Sequence, residues 1–340
     1  MVSLCGCTGE EKGQSGQNKQ DDDKIQIGMT FDSFVIERWQ RDRDVFVSMA
    51  KELGAEVNIQ NANGDVAEQK KQIEYFIKKG MDVIVIVCID SASLKTNIKK
   101  ARDAGIKVIA YDRLISDADV DLYISFDNEM VGEMMAKALV DNGLTGGKVI
   151  MLNGSQSDNN VPMVSKGFES VMEENGNEII DTYYVDGWKA ELAGDYIYGN
   201  MGKVIECDAI MCGNDDLASR VVTALSEKRL AGKKMVVGQD ADLEACQRIV
   251  EGTQLMTVYK PIEKLAQRAA EYAVKMAKGE DIISENEELV TISDGSYEVP
   301  YLKIDPVSVN AENMDEVIIK SGFHLKEDVY LNVPSKMPKN

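Results

Sequence analysis

Val83-Ile84-Val85-Ile86-Val87 is the stretch that decides the fold, because it is apolar without interruption. A strand covered on both faces, as in a parallel sheet flanked by helices, has this composition. The amphipathic segments on either side end at Gly80 and Gly105, and glycine takes the left-handed conformation after a helix without steric penalty. Further strand patterns lie at residues 25–29, 56–60 and 107–111. This βαβαβα alternation predicts a doubly wound α/β sheet.

The same alternation restarts near residue 128, which predicts a second α/β unit. Its strand patterns lie at residues 148–152, 179–185, 209–212, 235–238 and 255–259. A long helix follows Pro261, and weaker strand patterns lie near 287–293 and 301–304. Two units of about 110–130 residues each fit a two-domain chain of 340 residues. The chain has no GxGxxG after its first strand and no GxxxxGK[ST], so dinucleotide and nucleoside triphosphate binding lose their main support.

The charge and the histidine count exclude several classes of function. The formal net charge is −20 and the sequence pI is near 4.6, which disfavours nucleic acid as a partner. His324 is the only histidine, so Ser-His-Asp triads, Cys-His pairs and multi-histidine metal sites lack their components. We therefore expect no enzyme, no metal and no cofactor, and a ligand that is uncharged or cationic.

The six cysteines form no CxxC motif. Cys88, Cys207, Cys212 and Cys246 stand in apolar contexts, where we expect small buried residues rather than ligands. A disulfide between Cys207 and Cys212 is the alternative.

The N-terminal segment has the pattern of a lipid-anchored tether. Leu4-Cys5-Gly6-Cys7 resembles the end of a bacterial lipobox, with Cys7 as the lipidated residue, and residues 8–24 are almost free of apolar side chains. Six residues precede Cys7, too few for a complete export signal, so the start is expected to have been trimmed or assigned too late. We expect a protein on the outer face of the cell membrane. A ragged N-terminus without function is the alternative.

Polar and aromatic side chains recur directly after the predicted strands. Parallel sheets bind ligands beyond the carboxyl ends of their strands. The residues at these positions are Arg38, Trp39, Asp112, Arg113, Asn160, Trp188, Asn214, Asp240 and Lys260. Carboxylates, guanidinium groups and carboxamides bind hydroxyls, and indole rings cover the C–H face of a pyranose. Together they predict a site for a neutral polyol.

Each of these residues also has a simpler explanation when it is taken alone. Asp112 and Arg113 could form a solvated turn, and Trp39 could be core packing. Asn214 could be a helix N-cap, and the Asp158-Asn159-Asn160 segment could be turn chemistry. The prediction depends on their joint position at one end of both sheets.

Several longer motifs resemble those of a known family. They are residues 37–44 (ERWQRDRD), 61–65 (NANGD), 110–114 (AYDRL), 119–129 (DVDLYISFDNE), 238–242 (GQDAD) and 252–261 (GTQLMTVYKP). From about Lys24 to Glu327 the chain resembles bacterial periplasmic monosaccharide-binding proteins of the type I fold, most strongly their D-xylose-binding members. The resemblance implies two lobes, joined by three crossover segments, that close on a sugar and deliver it to an ABC permease.

The resemblance also implies boundaries and roles. Crossings are expected near 126–129, 259–262 and 297–302. The expected domains are residues 1–24 as lipobox and tether, 25–127 plus 262–298 as the N-terminal lobe, 128–261 plus 299–330 as the C-terminal lobe, and 331–340 as a tail. Arg38, Asp112 and Arg113 would line the first lobe, Asn160, Trp188, Asn214 and Asp240 the second, with Lys260 at the hinge. Trp39 would stack on the ligand or pack beside it, and the protein is expected to be a monomer.

Two departures from the family pattern concern the ligand. Relatives often carry basic side chains after the Asp-Asn-Asn segment, whereas Pro162-Met163-Val164-Ser165 follows it here. The segment Phe31-Asp32-Ser33-Phe34 is also more aromatic than in relatives. A pentose, D-xylose, fits best, and a hexose such as glucose or galactose stays open. Presentation of the sugar to a membrane histidine kinase is an alternative to transport. A repressor would need a helix-turn-helix before residue 25, where the sequence offers none.

Overall fold

The apolar run at Val83–Ile86 is the third strand of a seven-stranded sheet in the computed structural model, which describes residues 24–36, 38–283 and 288–338. In chain order the strands are β1 (Gln26–Phe31), β2 (Glu56–Asn61), β3 (Val83–Ile86), β4 (Lys107–Tyr111), β5 (Leu122–Phe126), β6 (Lys148–Asn153), β7 (Glu178–Tyr184), β8 (Ala209–Cys212), β9 (Met235–Gln239), β10 (Met256–Tyr259), β11 (Leu289–Ser293), β12 (Glu298–Ile304) and β13 (Val307–Val309).

The helices alternate with these strands. They are α1 (Arg38–Glu52), α2 (Val66–Lys79), α3 (Lys95–Asp103), α4 (Asn128–Asp141), α5 (Asn160–Glu174), α6 (Ala190–Gly199), α7 (Met201–Glu206), α8 (Asp215–Glu227), α9 (Leu243–Glu251), α10 (Ile262–Ala277) and α11 (Lys326–Val329). Short 3₁₀ turns lie at Asp186–Trp188 and Pro334–Lys336, and a π turn lies at Asp315–Ile319.

The strands form two sheets, as the sequence predicted. The first has the order β11-β12-β5-β4-β3-β1-β2 and the second β13-β10-β9-β8-β6-β7. All pairings are parallel except those of β11 with β12 and β13 with β10, so each sheet carries one antiparallel edge strand. Val83 and Val85 point into one apolar cluster while Ile84 and Ile86 point into another, which explains why β3 is apolar throughout. The prediction of two doubly wound lobes is confirmed.

The chain passes between the sheets three times. It leaves β5 of the first sheet for α4 of the second lobe at Phe126–Asn128, and returns from β10 to α10 at Tyr259–Ile262. The third passage lies between Ile304 and Val307, later than the expected 297–302, because β12 pairs with β5 as far as Ile304. Residues 299–304 therefore belong to the first sheet and not to the second lobe. Burial of apolar side chains favours this pairing, because Tyr301, Leu302 and Ile304 are all buried in the first lobe.

The C-terminal segment is packed onto the molecule rather than free. Its buried residues Met314, Ile318, Phe323, Val329 and Tyr330 join an apolar cluster that includes α1, α9 and α10. The described part of the expected tail also docks, because Lys336 Nζ donates to Val250 O at 2.8 Å on α9. His324 Nε2 lies 2.8 Å from Ala241 O, which gives the single histidine a structural contact.

Some local features of the structure were not predicted from the sequence. The break between α6 and α7 at Asn200 was not predicted; the side chain of Asn200 donates to Tyr196 O at 2.9 Å there. Strand β13 was not expected either, since three residues carry little pattern. Cys88, Cys207, Cys212 and Cys246 are buried free thiols, so the alternative of a Cys207–Cys212 disulfide is wrong. Cys7 lies outside the described residues. None of the described helices is long and apolar enough to cross a membrane.

Candidate functional site

The carboxyl ends of the parallel strands of both sheets border one cavity between the lobes. It holds about 470 Å³ of atom-free space, its open mouth included. All nine residues singled out in the sequence line it: Arg38, Trp39, Asp112, Arg113, Asn160, Trp188, Asn214, Asp240 and Lys260. Strand-end position therefore brought together side chains that are up to 222 positions apart, from 38 to 260.

Arg38 is the central cation of this cavity. The first turn of α1 places its guanidinium 2.8 Å from Asp112 Oδ2 and 3.3 Å from Asp42 Oδ2, with Asp240 Oδ1 of the other lobe at 3.8 Å. Burial lowers the pKa of Arg38, but the three carboxylates outweigh burial and raise the pKa well above its usual value. Arg38 is therefore permanently charged, and its cation lies 4.4 Å from the ring centre of Trp39.

Arg113 joins the two lobes directly. Its guanidinium lies 2.7 Å from Asp32 Oδ2 of the first lobe and 2.7 Å from Asp158 Oδ2 of the second, and it donates to Cys88 O at 3.0 Å. Burial raises the pKa of Asp158 and the charge of Arg113 opposes that rise. This arrangement satisfies two buried carboxylates with one planar donor, for which arginine is better suited than lysine.

Asp112 lies at a strained turn after β4, with φ 64°. Its side chain accepts from Asn160 Nδ2 at 3.1 Å, and its carbonyl accepts from Ser125 Oγ at 2.6 Å. Burial alone would raise the pKa of Asp112, but Arg38, Lys260 and Arg113 together lower it below its usual value. The carboxylate is thus ionised and available as an acceptor for hydroxyls. The contact with Asn160 also crosses between the lobes.

Asp240 and Lys260 form the corresponding group near the hinge. Lys260 Nζ lies 3.3 Å from Asp240 Oδ1 and 5.8 Å from the ring centre of Phe126. Asp240 has φ 99°, a conformation that side chains rarely adopt and that concentrates at functional sites.

Asn214 both caps a helix and lines the cavity. Its Oδ1 accepts from Leu217 N at 2.9 Å and so caps α8, while the residue also lines the cavity. The N-cap explanation is correct for the oxygen. The same geometry directs the carboxamide toward the cavity, because the cap residue precedes the helix that starts at the strand end.

The two tryptophans form apolar walls. Trp39 is almost fully buried, and Arg113 lies 5.5 Å from its ring centre on the cavity side. Trp188 follows β7 with φ 58° and packs over Gly154, where a Cβ would lie 2.1 Å from the indole ring. Glycine at position 154 is therefore what lets the indole approach the end of β6. Both indole Nε1 atoms are buried and make no hydrogen bond to the described protein.

Other lining residues were not among the nine predicted site residues. They are Ile36, Asn153, Gly154, Asp158, Val161, Val164, Met211, Gly213 and Gln239. Asn153 Nδ2 and Gln239 Oε1 are buried without a hydrogen bond among the described residues, although buried polar atoms are normally paired. Both are the last residues of their strands, β6 and β9, so the strand-end rule could have found them. The apolar members carry no such signal.

The charges of the site suit a neutral polar ligand. Three cations, Arg38, Arg113 and Lys260, are each in contact with buried carboxylates rather than free to neutralise an anion. In the described ranges no group of three or more His, Cys, Asp and Glu side chains is arranged to hold a metal ion. Charged partners on both sides of a cavity provide strong hydrogen bonds to hydroxyl groups.

Comparisons with known proteins agree with this geometry. A model of the periplasmic binding protein domain matches residues 27–281. The D-xylose-binding periplasmic protein of Haemophilus influenzae is 43% identical over 314 residues, which cover 90% of this chain and 92% of that protein. The protein of the same name from Escherichia coli is 42% identical, with coverages of 90% and 93%. A carbohydrate transporter solute-binding protein from Chloroflexus aurantiacus, solved with D-glucose, superposes with a TM-score of 0.82 at 27% identity, covering 90% and 98%.

Proposed function

This chain belongs to the periplasmic binding protein family, and we propose that it captures a monosaccharide, D-xylose, between its lobes and delivers it to an ABC permease without converting it. The observation that carries the proposal is a cavity between the lobes at which charged and aromatic side chains from the strand ends of both sheets meet. The names of the two relatives that are 42–43% identical to this chain favour D-xylose as the ligand.

Capture follows from the way the lobes share the cavity. Arg38 and Arg113 of the first lobe contact Asp240 and Asp158 of the second, so a complete set of polar partners exists only when the lobes are closed. A sugar that contacts both sides binds the closed arrangement better than an open one and shifts the population toward it. A permease can then distinguish the loaded protein by its shape.

Calorimetry with D-xylose, D-glucose, D-galactose, D-ribose and L-arabinose tests the proposal. We expect D-xylose to bind most tightly. Glucose has the same ring with an added hydroxymethyl group, which must be buried and hydrogen-bonded, so it is expected to bind more weakly. If D-glucose binds more tightly than D-xylose, the proposed ligand is a hexose and not a pentose. No binding of any of the five at millimolar concentration would overturn the sugar function.

Ser157 provides a test of lobe closure that leaves the cavity unchanged. Its Oγ donates to Ile89 O at 3.1 Å and its carbonyl accepts from Ser91 N at 3.1 Å, both across the cleft. S157A removes the hydrogen bond to Ile89 O, which exists only in the closed state, together with a hydrogen bond to Ser155 Oγ at 3.0 Å within the second lobe. We expect a loss of affinity of about 2- to 10-fold for every sugar, with the order of the sugars unchanged.

The matched control is Ser93, on the same loop as Ile89. Its Oγ donates to Asp90 O at 3.2 Å within the first lobe, so S93A should leave all affinities within twofold. An S157A variant that changes the ratio of xylose to glucose affinity would show that Ser157 acts on the sugar and not on closure.

We further propose that the protein works outside the cytoplasmic membrane and is held there by a lipid on Cys7. The relatives are named as periplasmic proteins, and the polar segment after Cys7 suits a tether. Expressed behind a bacterial lipoprotein signal, the chain should partition into detergent, and C7A should release it while C5A does not. If C7A and C5A are released from the detergent phase to the same extent, Cys7 is not the lipidated residue.

A further inference from the structure

Asp240 stands in a turn that its neighbours must hold in place. Asp240 and Ala241 are consecutive residues with positive φ, 99° and 56°, and neither is glycine. Such a conformation persists only where surrounding contacts determine it. The turn decides where the carboxylate of Asp240 lies, 3.3 Å from Lys260 Nζ and 3.8 Å from Arg38 Nη1.

The contacts that hold the turn converge on Asp215, the first residue of α8. Asp215 Oδ2 accepts from Asp242 N at 3.2 Å and from Thr257 Oγ1 at 2.6 Å. The same Thr257 hydroxyl accepts from Ala241 N at 3.1 Å. Asp215 Oδ1 accepts from Gln254 Nε2 at 2.8 Å. One buried carboxylate therefore binds the turn directly and also through a threonine hydroxyl.

Gly238 makes this approach possible. A Cβ at position 238 would lie 2.4 Å from Asp215 Oδ1, so any larger residue would displace the carboxylate. Gly238 has no positive φ. Glycine is therefore required at this position by the close approach of Asp215 and not by the backbone conformation. On the other side of the turn, His324 Nε2 lies 2.8 Å from Ala241 O.

We propose that Asp215 is a positioning residue for sugar binding: it holds the Asp240–Ala241 turn in the conformation that presents Asp240 to the ligand, although Asp215 itself is not part of the cavity wall. The inference rests on the proposed sugar-binding function. According to this inference, sugar affinity also depends on a carboxylate outside the cavity that does not contact the sugar.

The ionisation of Asp215 gives this role a signature. Burial raises the pKa of Asp215 to about 7, with Arg248, Thr257 and Gln254 opposing the rise and Asp240 adding to it. The ionised carboxylate can accept from all its donors at once, whereas the protonated form must donate through one oxygen. Sugar affinity is therefore expected to rise with pH between about 6 and 8.

Stability is expected to move in the opposite direction. Because the folded pKa of Asp215 lies above the ordinary value of about 3.9, the folded state binds more protons between pH 4 and 7. The contribution of Asp215 to stability falls as the pH rises through that window. The charged or titratable groups around Asp215 and its turn are Arg248, Asp242 and Cys246 of α9 and its cap, Cys212 of β8, Asp240 with its partners Lys260 and Arg38, and His324.

The experiment compares D215N with the unchanged chain in D-xylose calorimetry at pH 6, 7 and 8. Asparagine has the shape of the protonated acid but cannot ionise. We expect D215N to bind about fivefold or more weakly at pH 8 and within twofold at pH 6, where the two proteins converge. D216N, the neighbouring substitution, should stay within twofold at each pH. H324Q tests whether the histidine, rather than Asp215, causes the pH dependence. We expect H324Q to show the same difference in sugar affinity between pH 6 and pH 8 as the unchanged chain.

The outcomes distinguish the inference from the function on which it rests. An unchanged chain that binds no sugar would overturn the sugar-binding function itself. If the unchanged chain binds and D215N matches it at all three pH values, Asp215 does not position the site and the function stands. If D215N does not fold, as seen by its circular dichroism, T257V decides, because it removes the relay to Ala241 N and should also weaken binding fivefold or more.

Discussion

Replacing Arg113 with alanine is expected to weaken sugar binding by about 100-fold or more. The guanidinium contacts Asp32 and Asp158, both at 2.7 Å, and all three side chains are buried. Removing one partner of a buried ion pair costs about 3–5 kcal/mol, because the remaining charge stays desolvated. At 1.36 kcal/mol per tenfold change, even the lower value exceeds two decades. The loss falls on the closed state, since Asp158 reaches Arg113 only across the cleft.

Arg102 offers the matched control for this substitution. It pairs with Asp119 at the surface, where both side chains are more than one-third exposed, and exposed pairs contribute about 0–1 kcal/mol. R102A should therefore leave sugar affinity unchanged. Titration calorimetry of both variants measures the difference, and R113A with the affinity of the unchanged chain would remove Arg113 from the site.

The stability of R113A should also depend more strongly on pH than that of the unchanged chain. Burial already raises the pKa of Asp158, and Arg113 opposes this, so loss of the arginine should raise the pKa further. A carboxyl whose folded pKa exceeds its unfolded pKa makes stability fall as pH rises. We expect R113A to lose stability relative to the unchanged chain between pH 5 and pH 8. A difference between the two proteins that is constant across this range would contradict the argument.

Replacing Gly132 with alanine is expected to destabilise the second lobe by about 2 kcal/mol or more. A Cβ at Gly132 in α4 would lie 1.9 Å from Val164 O of α5, and one at Gly167 in α5 would lie 2.0 Å from Glu129 O. Overpacking costs about 1–3 kcal/mol, and the upper end applies here because backbone atoms cannot rotate away. The gain of about 1 kcal/mol in helix propensity on replacing glycine does not offset it.

Urea unfolding measures this effect, with Gly202 as the control. Gly202 lies in α7 with nothing within 4 Å of its Cβ position, so G202A should be neutral or slightly stabilising. The double variant G132A/G167A should lose less than the sum of its single variants, because one separation of α4 and α5 relieves both clashes. Equal stability of G132A and G202A would show that the two helices are not in close contact.

The strand-end rule was the most productive prediction from the sequence. It needs only the order of strands and helices, and parallel strands with connecting helices leave their carboxyl ends at one edge of each sheet. For that reason nine side chains distant in sequence lie around one cavity. Asn153 and Gln239 stand at the ends of β6 and β9, so the same rule applies to them, although they were not among the nine predicted site residues.

Features that depend on one particular contact were not predictable. The end of β12 at Ile304 depends on pairing with β5, and nothing in residues 297–302 marks where pairing stops. The break between α6 and α7 at Asn200 is local, but an asparagine within a helical pattern does not by itself mark the end of a helix. The apolar lining from Val161, Val164 and Met211 has the same composition as ordinary core.

The sequence by itself determined the alternation of strands and helices, the two lobes and the residue types at the strand ends, because these follow from periodicity and from local backbone preference. The tertiary structure alone decided which carboxylate meets which arginine across the cleft, why Gly132 and Gly167 are glycines, and how Asp215 reaches the turn of Asp240. Those are contacts between atoms far apart in the chain. Their geometry depends on how the lobes pack, and no local pattern encodes it.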